Sequence, residues 1–156
     1  MLNNLRKVKV VAMVKFILGE KGSGKTKWLI DNANKDMGEG NGNIAFIDVD
    51  DNHIFSLNHN VRLINAMEFN IINIESFYGF LCGIIGMDYD LEKIYVDSIY
   101  KVVELDVETL ETLLEKLNKI GEKFETEFFI NVDYTLEDIP ESLRDNCIEI
   151  EVDYAI

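Results

Sequence analysis

Positive charge is scarce in this chain. Across 156 residues, 15 lysines and arginines face 29 aspartates and glutamates, a net charge of −14. Arginine occurs only as Arg6, Arg62 and Arg144. A surface this acidic repels the phosphate backbone of nucleic acid and anionic lipid, so neither is expected as a partner. Nucleotides stay open, because a local nest of backbone amides binds phosphate inside an acidic protein. Cysteine is limited to Cys82 and Cys147. That excludes a disulfide framework and an all-cysteine zinc site, and leaves two reduced, buried thiols as the expectation for a cytoplasmic protein. There is one proline and no Ser- or Pro-rich stretch, hence no long linker. Long apolar runs are missing too. "FYGFLCGIIGM" falls short of the roughly 20 residues that span a bilayer. Lys15 breaks the apolar part of "MLNNLRKVKVVAMVKF", so no secretory signal is read there.

The residues that are present suffice for one domain, since 47% are apolar. Residues 1–12 read as an N-terminal tail and 13–156 as a single domain, because Met13 immediately precedes the first clear strand. "MVKFIL" (13–18) is a nearly continuous apolar run, as in a buried parallel strand. "KTKWLIDNANKDM" (25–37) reads as a helix, and "GEGNGN" (38–43) as a turn cluster. "IAFIDVD" (44–50) and "VRLIN" (61–65) read as strands. "IESFYGFLCGIIGM" (74–87) is expected to be a buried helix whose Gly79, Gly83 and Gly86 pack closely against a sheet. "EKIYVDSIY" (92–100) is a fourth strand. "DVETLETLLEKLNKIG" (106–121) is the clearest helix, with Asp106 as N-cap and Gly121 as its stop. "EFFINV" (127–132), a short helix opening at Pro140, and an edge strand "CIEIEV" (147–152) complete the chain. Repeated strand–helix–strand units predict a three-layer α/β fold with a mostly parallel sheet.

Between the first strand and the first helix stands "GEKGSGKT". Gly19, Gly24, Lys25 and Thr26 meet the pattern G-x-x-x-x-G-K-[ST], with Glu20, Lys21, Gly22 and Ser23 between. Glycines let the backbone curl around phosphate, where side chains would block it. The helix that follows adds its positive end. Lys25 is expected to reach the β- and γ-phosphates, and the Thr26 hydroxyl to ligate Mg²⁺. A strand before and a helix after are the context this motif requires.

Such a loop needs a second element, an acid at the tip of an apolar strand that holds the metal shell. "IYVD" ends in Asp97 and "IAFID" in Asp48, with Asp50 and Asp51 close behind. "DVDDNHIFSLNHN" (48–60) gathers acids with His53 and His59. It reads as a polar loop, with a divalent-metal site as the alternative. Trp28 is expected in the core rather than against a base. Tyr89, Tyr95 and Tyr100 read as packing residues.

The order of "NIAFIDVDD", "KIYVDSIYK" and "FFINV" after the glycine loop resembles the second strand, the Walker B strand and the sensor strand of RecA-like ATPases. The likeness covers roughly residues 14–152. It implies a P-loop NTPase fold with RecA-like strand order, ATP and Mg²⁺ as cofactors, and Asp97 with Thr26 as the metal-holding pair. It also implies Asp50 at the position of the base that polarises water, beside Lys25 as the other catalytic residue, and Asn131 at the nucleotide. The chain departs from the pattern at three places. Asp50 is one carbon shorter than the family's glutamate, Val132 stands where a γ-phosphate-sensing glutamine is usual, and Ser98 where many relatives carry a glutamate. General-base help is typically worth about 10²- to 10⁴-fold, and an arginine finger about 10³- to 10⁵-fold. Slow ATP hydrolysis is therefore expected, with a nucleotide-gated interaction module as the alternative and a small-molecule kinase as a third reading. Self-association or another protein partner would complete the site. The chain also resembles short stand-alone bacterial P-loop proteins loosely named after the twitching-motility retraction ATPase. That motor's acidic and histidine boxes are absent near Asp97, so pilus retraction is not carried over. No N-K-x-D stretch reads guanine, which favours ATP.

Overall fold

The computed structural model describes residues 12–40, 42–50 and 56–151. Strands β1 (Val14–Leu18), β2 (Asn43–Asp48), β3 (Arg62–Asn65), β4 (Leu91–Val96), β5 (Glu127–Asn131) and β6 (Cys147–Glu149) alternate with four helices. These are α1 (Lys25–Gly38), α2 (Ile74–Met87), α3 (Val107–Phe124) and the short α4 (Glu141–Arg144). Every strand pair is parallel. The single sheet runs β3-β2-β4-β5-β1-β6. β5 therefore separates β1, which feeds the glycine loop, from β4, which leads into Asp97. This is the RecA-like order, and the fold is a three-layer P-loop NTPase fold.

Buried residues of the central strands alternate between the two faces, as the period of two requires. Ile17, Phe46 and Tyr95 face α1, where Leu29 and Ala33 close the layer. Phe16, Leu18, Ile47, Val96 and Phe128 face α2 and α3, meeting Leu81, Leu113 and Leu117. On the α1 side, Phe46, Tyr95 and Phe129 are in register across β2, β4 and β5. Tyr95 stacks on Phe129 at 4.8 Å and on Phe46 at 6.4 Å between centroids. Trp28 tilts against Phe129 at 6.1 Å, a core position as expected. The Tyr95 hydroxyl donates to Asp36 Oδ2, which also pairs with Lys93 at 3.1 Å. Burial, then that bond, pushes Tyr95 above the ordinary tyrosine range.

Several sequence-based expectations need correction. Gly121 does not stop α3. The helix continues to Phe124 and ends at Glu125, itself left-handed at φ 55°. Gly121 serves instead as a point of close approach, since a Cβ there would lie 2.7 Å from the Thr126 carbonyl and 2.9 Å from Met13 Cβ. Gly79, Gly83 and Gly86 are not packed against the sheet. They are exposed, and an added Cβ would meet nothing within 4 Å among the described residues. Tyr89 packs on nothing either, being 97% exposed. The fourth strand stops at Val96, because Ser98 adopts φ 62° and turns the chain into a 3-10 turn at Ile99–Lys101. The last strand is shorter than expected, and Val152 lies outside the described residues. Cys82 and Cys147 are free thiols, half-buried rather than buried. Burial pushes Cys147 up to about 11. Among the described residues no helix is long and apolar enough to cross a membrane.

Candidate functional site

The loop from Gly19 to Gly24 lies at the carboxyl end of β1, where a parallel sheet presents its ligands. Its backbone takes conformations that side chains resist. Gly19, Gly22 and Gly24 have φ of 155°, 82° and 100°. At Gly19 space adds to the requirement, because a Cβ would collide with Ser23 Oγ and come within 3.2 Å of the Ile150 carbonyl. Two bonds pin the loop: Gly19 N–H donates to the Tyr134 carbonyl at 2.9 Å, and Ser23 N–H to the Glu20 carbonyl at 3.0 Å. Ser23 Oγ is buried beneath it and has no hydrogen-bond partner among the described residues.

Helix starts separate this site from the rest of the molecule. At α2, Asn73 and Ser76 form a reciprocal capping box. At α3, Asp106 accepts from Thr109 N–H at 2.8 Å, and hydrogen bonding from the Thr109 side chain, then from this N–H, holds its carboxyl below the ordinary range. Both helices also carry an acid in the first turn. α1 has neither device. Its N-cap, Gly24, has no side chain, and its first turn holds no acid but begins with Lys25 and includes Lys27. Cations there oppose the helix dipole, and the uncapped amides lack the side-chain partner that α2 and α3 supply. The start of α1 thus has the charge and the uncapped amides that suit an anion.

Lys25 is only 6% exposed. Its Nζ donates to the Gly19 carbonyl at 2.8 Å and to the Val132 carbonyl at 3.3 Å, folding back over its own loop. Burial lowers its pKa, and the carboxylates of Asp133 and then Asp97 pull the other way. The Tyr100 ring lies 6.0 Å from the ammonium.

Beside Lys25, Thr26 Oγ1 donates to Asp97 Oδ1 at 2.9 Å. Asp97 sits at the tip of β4, 2% exposed, its N–H still bonded to the Ile47 carbonyl of β2. Asn131, at the end of β5, braces it. Its Nδ2 donates to Asp97 Oδ1 at 2.6 Å, while its Oδ1 accepts from Ser98 N–H at 2.6 Å. Ser98 Oγ adds a third donor to the same carboxylate oxygen at 3.1 Å. One oxygen-rich point thus joins α1, β4 and β5.

Asp48, the other strand-tip acid, is used differently. Its Oδ1 accepts from Val49 N–H at 2.8 Å and from Asp50 N–H at 3.4 Å, shaping its own loop. Asp50 is half-buried and does not line the cleft. Asp51 and His53 lie outside the described residues. Among the described residues no cluster of three histidine, cysteine or acidic side chains could hold a metal.

A cleft of about 580 Å³ opens above these groups, within the range of small-molecule sites. Lys21, Gly22, Gly24, Lys25, Thr26 and Asn131 line it, together with residues the motif alone does not mark. These are Lys27, Ile30 and Asp31 further along α1, Ser56, and Tyr100. Tyr100, read from sequence as a packing residue, does both jobs, since it also packs against the core. Its signal was its place just past a strand-tip acid. The charge of Asp133, acting on Lys25, had the same signal two residues past Asn131.

No family model and no curated protein matches the chain. Among solved structures it is similar in fold to the flagellar accessory protein FlaH from Methanocaldococcus jannaschii. The match has a TM-score of 0.51 at 14% identity and covers 88% of this chain and 70% of that one. The likeness is one of fold, and it supports the RecA-like P-loop core.

Proposed function

We propose that the chain binds ATP with Mg²⁺ at the Gly19–Thr26 loop and hydrolyses it slowly. The carrying observation is the bond between Thr26 Oγ1 and Asp97 Oδ1. It brings a hydroxyl from the first turn of α1 to a carboxylate buried at the tip of β4, across an intervening strand. The donor set suits a small hard cation, which takes one or two carboxylates and completes its shell with substrate phosphates and water. The unmatched start of α1 and the glycine cradle suit the phosphates. Thr26 and Asp97 would hold the metal, which supplies charge neutralisation at the phosphates when bound.

The chain's own residues then divide the work. Lys25 exchanges the Gly19 and Val132 carbonyls for the phosphate oxygens, which also relieves a buried cation. Asn131 fixes the Asp97 carboxylate and closes the floor of the cleft. Tyr100 screens Lys25 from water on one side. Asp50, the base that the resemblance implies, lies on the loop that Asp48 shapes and would have to turn toward the cleft to act.

A second reading has a specific basis. Val132 presents only its backbone to the site, its side chain being wholly buried. A protein with an apolar residue there and a short acid for base can bind nucleotide as a switch without useful turnover.

Phosphate release from ATP with Mg²⁺ tests the proposal. Slow release is expected from the full chain and none from Lys25→Ala or Asp97→Ala. Release that persists unchanged in both variants would overturn it. Tight binding without release in the parent would select the switch.

A further inference from the structure

The layer of α2 presents a surface with no role in the cleft. α2 carries one charged residue, Glu75, along its length. At its N-terminal end Met67 and Ile72 project from the preceding segment, Ile72 being 73% exposed. At its C-terminal end Met87, 87% exposed, stands over an apolar groove of about 740 Å³. The groove runs between α2 and β3, the edge strand of the sheet, with Phe69, Phe80 and Ile84 among its walls. Met67, Phe69, Ile72 and Met87 on this face offer roughly 500 Å² of accessible surface, taking about 150–250 Å² for each and the fraction exposed, before the bare glycine backbone of α2 is counted. A standard interface needs about 800 Å² per partner.

We propose that this face binds the same face of a second copy of the chain, with the two α2 helices crossing antiparallel about a two-fold axis. The shape argues for it. Projections lie at one end of the face and a groove at the other, so a two-fold rotation sets Met67 and Ile72 of each copy over the groove of the other. Charge argues the same way. Across most of its surface a molecule of net charge −14 repels its own kind, and association is directed to this face, where α2 itself carries only Glu75 and the exposed Glu68 lies at the same end. Its exposed Arg62 lines the groove end and Glu75 lies at the opposite end. Antiparallel crossing places each Glu75 near the partner's groove end, where Arg62 lies, whereas parallel crossing opposes like charges. Asp88, also at the groove end, is held by its own Asn43 through both carboxylate oxygens. The glycines fit this reading as well. Gly79, Gly83 and Gly86 weaken α2 relative to alanine and face open space within the single chain. A helix stripped of side chains on its outer face lets a second backbone approach closely.

Sedimentation equilibrium of the full chain at micromolar concentration tests the proposal. The parent is expected at twice the monomer mass. Gly83→Gln has room in the single chain and is the better helix former, so it is expected to keep or raise the melting temperature while running as a monomer. Arg62→Glu is expected to weaken the dimer about tenfold, and Arg62→Glu with Glu75→Arg to restore it. A monomeric parent would overturn the proposal, as would a dimer that survives Gly83→Gln. A monomeric parent that dimerises once Val8, Val10 and Val11 are replaced by serine would give the groove to residues 1–11 instead, and overturn it too. ATP binding is expected to be unchanged in Gly83→Gln, which keeps this test separate from that of the nucleotide site.

Discussion

The tips of β4 and β2 carry the same signal in sequence, an apolar strand that ends in aspartate, yet the two acids work in opposite directions. Asp97 reaches outward. It accepts from Thr26 on α1 and Asn131 on β5, besides its own neighbour Ser98. Asp48 folds back onto the two residues that follow it. Both are almost fully buried, so burial does not distinguish them. What distinguishes them is the neighbour. β4 lies one strand from β1 and its glycine loop, and Asn131 on the intervening β5 holds the Asp97 carboxylate toward α1. β2 lies one strand further out. A carboxylate becomes a candidate metal ligand through the strand order that places it, not through its local sequence.

The largest effect expected in breaking this comparison comes from the cation beside Asp97 rather than from the loop that Asp48 shapes. Lys25→Ala is expected to weaken ATP binding about 100-fold by calorimetry, the cost of removing one partner of a buried charge pair. Asp97→Asn should follow, with about a tenfold loss of affinity confined to Mg²⁺-containing buffer. Asn131→Ala removes the brace but leaves the ligand, so a several-fold loss is expected, along with about 1–2 kcal/mol of stability from the unsupported Ser98 turn. Asp48→Ala is the opposite control. It is expected to cost about 2 kcal/mol in denaturant unfolding, through two buried amides left without their acceptor, and to leave the Mg²⁺ dependence of binding intact. A metal dependence that moves with Asp48 and not with Asp97 would reverse the assignment.

The smallest effect lies lower on β4. Tyr95 has a pKa raised above its unfolded value. Its contribution to stability is therefore full below the ordinary tyrosine value near 10 and is lost as pH rises past it. Tyr95→Phe is expected to cost about 1 kcal/mol at neutral pH and to flatten the alkaline limb of the stability curve. An unchanged alkaline limb would contradict the buried Tyr95–Asp36 pair.

Much of this architecture was legible in the residues. Apolar strands alternating with amphipathic helices forced a parallel three-layer fold, and the glycine loop named its own position. The residues alone offered two strand-tip acids and only the resemblance to RecA-like ATPases favoured Asp97, because the physical ranking depends on β5 inserting between β1 and β4, where β1 pairs with residues more than a hundred positions away. Glycine misled twice, for one reason. A missing side chain marks close approach, but not from which side. Gly121 meets the Thr126 carbonyl and Met13 inside the fold. Gly79, Gly83 and Gly86 meet nothing among the described residues, which is why the proposed contact is placed on that face. Tyr89 was misjudged because aromatic residues read as core from composition alone, whereas its position at a turn decides its exposure, and Tyr100 packs as expected while also lining the cleft.

The central claim is that the start of α1, with Thr26 tied to Asp97, takes the phosphates of a Mg²⁺–nucleotide. Calorimetric titration of ATP into the full chain, with and without Mg²⁺ and beside Lys25→Ala, tests it most directly. Saturable binding that weakens without Mg²⁺ and vanishes in the variant is the expected result. Binding of equal strength in Lys25→Ala, or none in the parent, would contradict it.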